Sequence, residues 1–180
     1  MKWIIISSSL VFLLSCSQSK KIISSAGNPE VVCATGSLKW HQVSSPIGSP
    51  VNKQLILPKS YTAYQIDESE LRTLMTLVKS GEEEVITLPV NGECLTFRLV
   101  PSGVMSPELA EKFPELQSYR GIGTGQASDL ASIDYDGKLL RVSVSTGRGT
   151  FILDPFEMED GTYYLMFDKK NSGIPKVKYE

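Results

Sequence analysis

Two glycine-bearing turns, each set between alternating apolar runs, constrain this chain more than any other feature. Glu84–Val90 and Cys94–Val100 flank Asn91-Gly92-Glu93, and a second run from Leu130 to Ser145 is broken at Asp136-Gly137. Asn-Gly and Asp-Gly pairs tolerate the positive φ angles of a type I′ turn, whose twist matches that of paired strands. Each segment is therefore expected to be an antiparallel hairpin. In the second, counting back from the turn pairs Ile133 with Leu140 and Ala131 with Val142. With Tyr135 and Val144 these residues form one apolar face, and burial of that face fixes the register.

Strand patterns continue on both sides. Val31–Ala34, Leu38–Val43 with Trp40 inward, Lys53–Leu57 and Tyr61–Ile66 are read as strands before the hairpins. Gly149–Leu153 and Thr162–Phe167 are read as strands after them, separated by acidic Glu157–Gly161. Residues 44–52 form a Pro/Gly/Ser loop. Two helices interrupt the pattern. Asp67 followed by Glu70 is a capping-box pattern, and Leu71, Leu74, Met75 and Val78 form one apolar stripe before Lys79 and Gly81 end the helix. Ser106 caps a shorter helix with Pro107 at its first position, Leu109 and Phe113 on one face, and Pro114 as its stop. About nine short strands and two helices define the expected fold class: α+β, a single domain, mostly antiparallel sheet with the helices packed on it.

The N-terminus reads as targeting rather than structure. Lys2, the apolar run Trp3–Leu14 and the ending Leu13-Leu14-Ser15-Cys16 form a lipoprotein signal peptide over residues 1–15, with Cys16 as the lipidated first residue. The run is too short to span a bilayer as a helix. Acyl chains on Cys16 would hold the protein to a membrane. Residues 16–30 are a Ser-rich tether, 31–170 the folded domain and 171–180 a polar tail. Ser17 in place of Asp favours the outer membrane, by resemblance to Gram-negative lipoproteins, and the lack of acidic residues just after Cys16 favours its periplasmic face. In that oxidising compartment Cys33 and Cys94 are expected as a disulfide or as two buried thiols.

Chemistry-bearing motifs are scarce. The 180 residues include one histidine, His41, so the HExxH zinc motif is excluded. A formal net charge of −2 without a Lys/Arg run gives no footprint for nucleic acid. Arg120–Ser128 is glycine-rich but lacks the Lys-Ser/Thr of a phosphate loop, so it is read as a turn or bulge region. Asp134 and Asp136 have no acidic neighbours in the hairpin and are read as solvated turn carboxylates. No catalytic residue, metal site, cofactor or small-molecule substrate is expected.

From Pro58 to Lys170 the chain resembles the N-terminal propeptide-like domain of secreted reprolysin-type zinc metallopeptidases of Bacteroidetes-like bacteria. The resemblance is carried by Tyr61-x-x-Tyr64-x-Ile66-Asp67, Leu88-Pro89, Phe97-Arg98-Leu99-Val100, Tyr119-x-Gly121-x-Gly123, Gly149-Thr150-x-x-Leu153-Asp154-Pro155-Phe156 and Tyr163-Tyr164 with Lys169-Lys170. Its most specific block is Val104-Met105-Ser106-Pro107-Glu108-Leu109-Ala110-x-Lys112-Phe113-Pro114-Glu115. The sequence departs from the family where Ser128-Asp129 and Asp134 stand in place of an Asp-Pro and a following Arg. In the family this domain precedes a catalytic domain bearing a HExxHxxGxxH helix, which this sequence lacks. The resemblance therefore implies a non-catalytic module that binds a zinc metallopeptidase in trans, as inhibitor or chaperone. Met105, Pro107, Glu108, Lys112 and Phe113 are its surface candidates for that contact. A zinc-blocking role for Cys94 is disfavoured, because its surroundings, Gly-Glu-Cys-Leu-Thr, match no such switch. The alternatives are an envelope binding or assembly module unrelated to any protease, and a remnant without a dedicated partner.

Overall fold

A computed structural model describes residues 30–44, 50–51 and 58–172. Ten strands run β1 (Glu30–Thr35), β2 (Leu38–Val43), β3 (Thr62–Gln65), β4 (Val85–Val90), β5 (Glu93–Pro101), β6 (Gln117–Gly123), β7 (Leu130–Tyr135), β8 (Leu140–Thr146), β9 (Gly149–Met158) and β10 (Gly161–Asp168). Helix α1 (Glu68–Ser80) links β3 to β4, and α2 (Pro107–Lys112) lies between β5 and β6. The strands form one antiparallel sheet in the order β1-β2-β3-β10-β9-β8-β7-β6-β5-β4. Its two ends, β1 and β4, come side by side, so the sheet curls into a near-closed barrel. The largely antiparallel sheet with two helices agrees with the expected fold class, but the helices are not layered on a sheet face. The curl brings one face inward, and α1 contributes to that interior.

The first hairpin follows its turn chemistry. Val90 pairs with Glu93, and Asn91 (φ 50°) with Gly92 (φ 81°) makes the corner. Asn is among the few residues other than Gly that accept such a φ. The second hairpin keeps the expected inward face but moves its register by two. Tyr135 pairs with Leu140, Ile133 with Val142 and Ala131 with Val144. The cause is Asp136. Its Oδ1 accepts from the N–H groups of Lys138 and Leu139, and its own N–H donates to the Leu139 carbonyl, so Gly137-Lys138 becomes the corner. A shift of two residues leaves every side chain on its face, whereas a shift of one would reverse them all.

Of the glycine-rich Arg120–Ser128, Arg120–Gly123 belong to strand β6, and the remainder is the turn into β7, as expected. In β6 the pleat is intact, but inward positions that ordinarily carry branched residues carry Gly121 and Gly123. A Cβ on Gly121 would lie 3.0 Å from the Cβ atoms of both Ala131 and Phe97. Gly121→Val is therefore expected to overpack the interior and cost about 1–3 kcal/mol. Urea titration measures it, and an unchanged midpoint would mean that this wall of the barrel yields freely. Strand β9 runs past the expected Leu153 to Met158, leaving only Glu159-Asp160 as its turn into β10. The expected strand Lys53–Leu57 falls outside the described residues. Lys169–Asn171, where the folded domain meets the expected polar tail, form a short 3₁₀ turn.

Helix α1 forms as its cap and stripe dictate. Asp67 Oδ1 accepts from the N–H of Ser69 and Glu70, and Gly81 closes the helix in the left-handed region at φ 80°. Leu71, Leu74, Met75 and Val78 are buried with Trp40, Tyr64, Phe97 and Tyr164 in the interior. Full burial of a side chain such as Leu71 or Met75 contributes about 1.5–3 kcal/mol. Because β3 leaves and β4 enters at the same end of the barrel, α1 lies across that end. This is termed the lower end, and it also carries α2 and the β7–β8 and β9–β10 turns. A second apolar cluster sits on the outer face of β3, β10 and β9, formed by Ala63, Phe156, Met158, Tyr163, Leu165 and Phe167. Pro50 bridges to Met158 beside it. Strand β10 is thus buried on both faces, which explains its unbroken apolar run Tyr163–Phe167.

No backbone ladder joins β1 to β4. Because Val90–Glu93 closes a two-residue turn, alternate residues Val85, Thr87 and Pro89 turn their backbone groups away from β5, towards β1. The Val85 N–H is taken by Glu83 Oε1 at 3.1 Å, and the Thr87 N–H by Thr35 Oγ1 at 2.6 Å. Pro89 has no N–H. Trp40 Nε1 donates to the Thr87 carbonyl at 3.0 Å, and a disulfide joins Cys33 to Cys94. The seam is closed by side chains and one covalent bond, and β4 offers no free seam-facing N–H to an added strand.

Candidate functional site

The lower end carries the features most unlike a self-contained barrel. Between β5 and β6 the chain makes an excursion over residues 102–116, longer than a hairpin needs. Gly103 turns it out of β5 at φ 68°. Ser106 Oγ accepts the Leu109 N–H, and Pro107 occupies the first helical position, so α2 starts as its sequence dictates. Yet α2 buries no residue. Leu109, expected on a packed face, is 44% exposed, Val104 is 84% exposed and Leu116 37%. Lys79 Nζ, at the end of α1, donates to the Pro114 carbonyl at 2.7 Å and moors the excursion there. A groove of about 600 Å³ runs between the excursion, the C-terminus of α1 and strands β5 and β6, with Leu99, Val100, Met105, Ala110, Leu116 and Tyr119 among its walls.

The structure gathers all five surface candidates into this excursion. Met105 is half-buried on the groove wall, and Pro107 and Glu108 are exposed in the first turn of α2. Lys112 Nζ lies 5.5 Å from the centroid of the Phe113 ring, and half-buried Phe113 ends the helix by donating its N–H to the Leu109 carbonyl. Cys33 and Cys94 lie apart from them, at the seam. Cys16 falls outside the described residues. Sequence reading missed Leu116 as a site residue, and it missed the charged groups of the opposite bank, Glu83 and Glu84 with Lys79 and Arg98. The run of three glutamates was the one available signal.

A second cavity, of about 640 Å³, opens at the opposite, upper end among the β4–β5, β6–β7 and β8–β9 connections. Arg148 spans it in a two-pronged contact, donating to Glu93 Oε1 at 2.7 Å and Oε2 at 2.6 Å. That guanidinium holds the exposed Glu93 carboxyl below its usual range. Both groups satisfy each other, which leaves the cavity without an unpaired charge on that fork. Asp134 and Asp136, considered together above, serve the β7–β8 hairpin: Asp136 Oδ2 also accepts from Arg141 at 3.1 Å. Burial alone would raise the Asp136 carboxyl, but the Leu139 and Lys138 N–H groups and Arg141 together hold it low. In the interior, burial pushes the Tyr164 hydroxyl far above its ordinary range while it accepts the Leu140 N–H. Among the described residues, no three His, Cys, Asp or Glu side chains converge to hold a metal ion. No family model, curated protein or solved structure matches this chain.

Proposed function

We propose that this protein is a lipid-anchored, non-catalytic module of the cell envelope that binds a zinc metallopeptidase in trans, as inhibitor or folding chaperone. The observation that carries the reading is the state of Val104–Glu115. The block most specific to the propeptide-like resemblance is an excursion whose helix buries no residue of its own, yet it displays Val104 and Leu109 to solvent. A segment kept for the fold would place such side chains inside; a segment kept for a partner displays them. Connectivity supports the same reading. Strand β1 begins at the upper end, so the excursion lies at the end of the barrel opposite to that at which the described residues begin. The outer membrane, facing the periplasm, is the proposed site.

The partner is tested by immobilising the protein and exposing it to envelope extract from its own organism, with bound proteins identified by mass spectrometry. An enriched, saturable zinc metallopeptidase supports the proposal and supplies the enzyme for inhibition assays. An unrelated saturable partner replaces it with a general envelope binding module, and no partner leaves a remnant. The anchor is tested separately. Cys16→Ala is expected to move the protein from the membrane to the soluble fraction, and unchanged fractionation would sink the lipid anchor.

A further inference from the structure

The two sulfurs of the disulfide sit in unlike surroundings. Cys33 is 6% exposed and belongs to the interior cluster that includes Leu38 and Trp40. Cys94 is exposed, at the second position of β5. It also lines the upper cavity of about 640 Å³, with Gly125 and Gln126 after β6 and Gly147 and Arg148 around the start of β9 among the other walls. Thiol exchange begins when a thiolate attacks one sulfur in line with the S–S bond and expels the other, so access and the leaving sulfur both set the rate. Attack on Cys33 would have to come through the packed interior. Attack on Cys94 comes from solvent. The leaving sulfur favours the opposite choice, because attack on Cys94 expels Cys33 as a thiolate among apolar side chains. That burden slows the step and leaves a path open. At Cys33 the approach itself is blocked, so access decides.

We infer that Cys94 is a thiol-modification site, the sulfur at which a small thiol or the dithiol of an oxidoreductase attacks this fold. The thiolate bonds to Cys94 Sγ as the Cys33–Cys94 bond breaks. Cys33 leaves with the electron pair and takes one proton, which gives a mixed disulfide on Cys94 and a thiol at Cys33. A second thiolate then attacks the attached sulfur and releases Cys94, so two thiols are oxidised to a disulfide as the cystine is reduced. This is independent of the partner proposed above. Its consequence lies at the seam. The bond crosses the one junction without a backbone ladder, and exchange leaves β1 and β4 held by Thr35, Trp40 and packing.

The test exposes the native full chain to 2-mercaptoethanol and quenches early samples with N-ethylmaleimide. Trypsin puts the two sulfurs on separate peptides, Cys33 between Lys21 and Lys39 and Cys94 between Lys79 and Arg98. Mass spectrometry is expected to find mercaptoethanol on Cys94 and maleimide on Cys33, in about tenfold or greater excess over the reverse arrangement. Equal amounts, or an excess of the reverse, overturn the inference. So does the absence of any adduct on the native protein where urea-unfolded protein forms one, because Cys94 would then be closed as well. Two variants check the asymmetry without exchange. Cys33→Ala leaves Cys94 as a thiol, and Cys94→Ala leaves Cys33. Circular dichroism confirms that both fold, and iodoacetamide is expected to label the Cys94 peptide of the first about tenfold or more faster than the Cys33 peptide of the second. Equal labelling rates in the folded variants also overturn the inference.

Discussion

Replacing the cystine by Cys33→Ala with Cys94→Ser is expected to lower the unfolding free energy by about 4 kcal/mol. The two cysteines are 61 residues apart in sequence, and their bond closes a loop that contains β2, β3, α1 and β4. Without it, the unfolded chain regains the freedom of that whole segment, and a long loop regains more than a short one. The native state loses something as well. The bond crosses the one junction of the barrel that has no backbone ladder, so the strands it joins are held otherwise by Thr35, Trp40 and packing. For a domain of this size the loss corresponds to a fall in melting temperature of about 10 °C. Reduction by dithiothreitol should reproduce it in the unaltered protein. In the native protein, iodoacetamide without reductant should label neither Cys33 nor Cys94, and labelling of both would remove the bond. An unchanged denaturation midpoint after the double substitution would show that the seam is held by its non-covalent contacts alone.

The seam also marks where sequence reading stopped. Local signals were legible wherever the partners are near in sequence. Asp67, the stripe from Leu71 to Val78 and Gly81 specify α1 within one stretch, and Asn91-Gly92 specifies its hairpin. At Asp136 the faces were legible and the register was not. An aspartate side chain that captures two following N–H groups moves the corner by one residue without changing the apolar pattern that predicts it. Strand β6 was hidden for a different reason. Inward Gly121 is glycine where Phe97 and Ala131 already occupy the space, and inward Gly123 where the Gln126 carbonyl and Asp129 do, so the strand is poor in the residues by which strands are recognised. Closure of the sheet depends on contacts between residues 47, 52 and 61 positions apart, Trp40 with Thr87, Thr35 with Thr87 and Cys33 with Cys94. No periodicity encodes these.

The candidate site was legible in part for the same reason. Ser106 and Pro107 predict the start of α2, and the structure bears this out. The expected fold class packs both helices on the sheet, and α2 departs from it by burying no residue. Periodicity says which residues share a face, but not whether another element lies opposite. Glu83 and Glu84 share one groove with Met105, Ala110 and Leu116 only because α1 crosses the lower end and the excursion folds back to it through Lys79. A site assembled from two stretches about 25 residues apart belongs to the tertiary fold, and the sequence shows only its halves.

Trp40→Ala is expected to be the most damaging single substitution, at about 3–5 kcal/mol. Trp40 is fully buried, with Tyr64 and Tyr164 edge-on to it at centroid distances of 6.3 Å and 5.5 Å. Alanine leaves a void among these rings, and nothing in a closed wall can collapse far enough to fill it. The Trp40 indole N–H also holds the Thr87 carbonyl across the seam. Trp40→Phe separates the two effects. Most of the aromatic contact survives, but the Thr87 carbonyl loses its donor, for an expected loss of about 1–3 kcal/mol. Thr35→Val removes the other side-chain bond to Thr87, at its N–H. If these two bonds close the seam together, the double variant Thr35→Val with Trp40→Phe will depart from the sum of the single variants by about 0.5 kcal/mol or more. Urea denaturation of the four proteins measures this. Additivity would mean that each bond acts alone and that the barrel is shut by the disulfide and packing. A departure would mean that β1, β2 and β4 close as one unit, with Thr87 as the residue on which that closure turns.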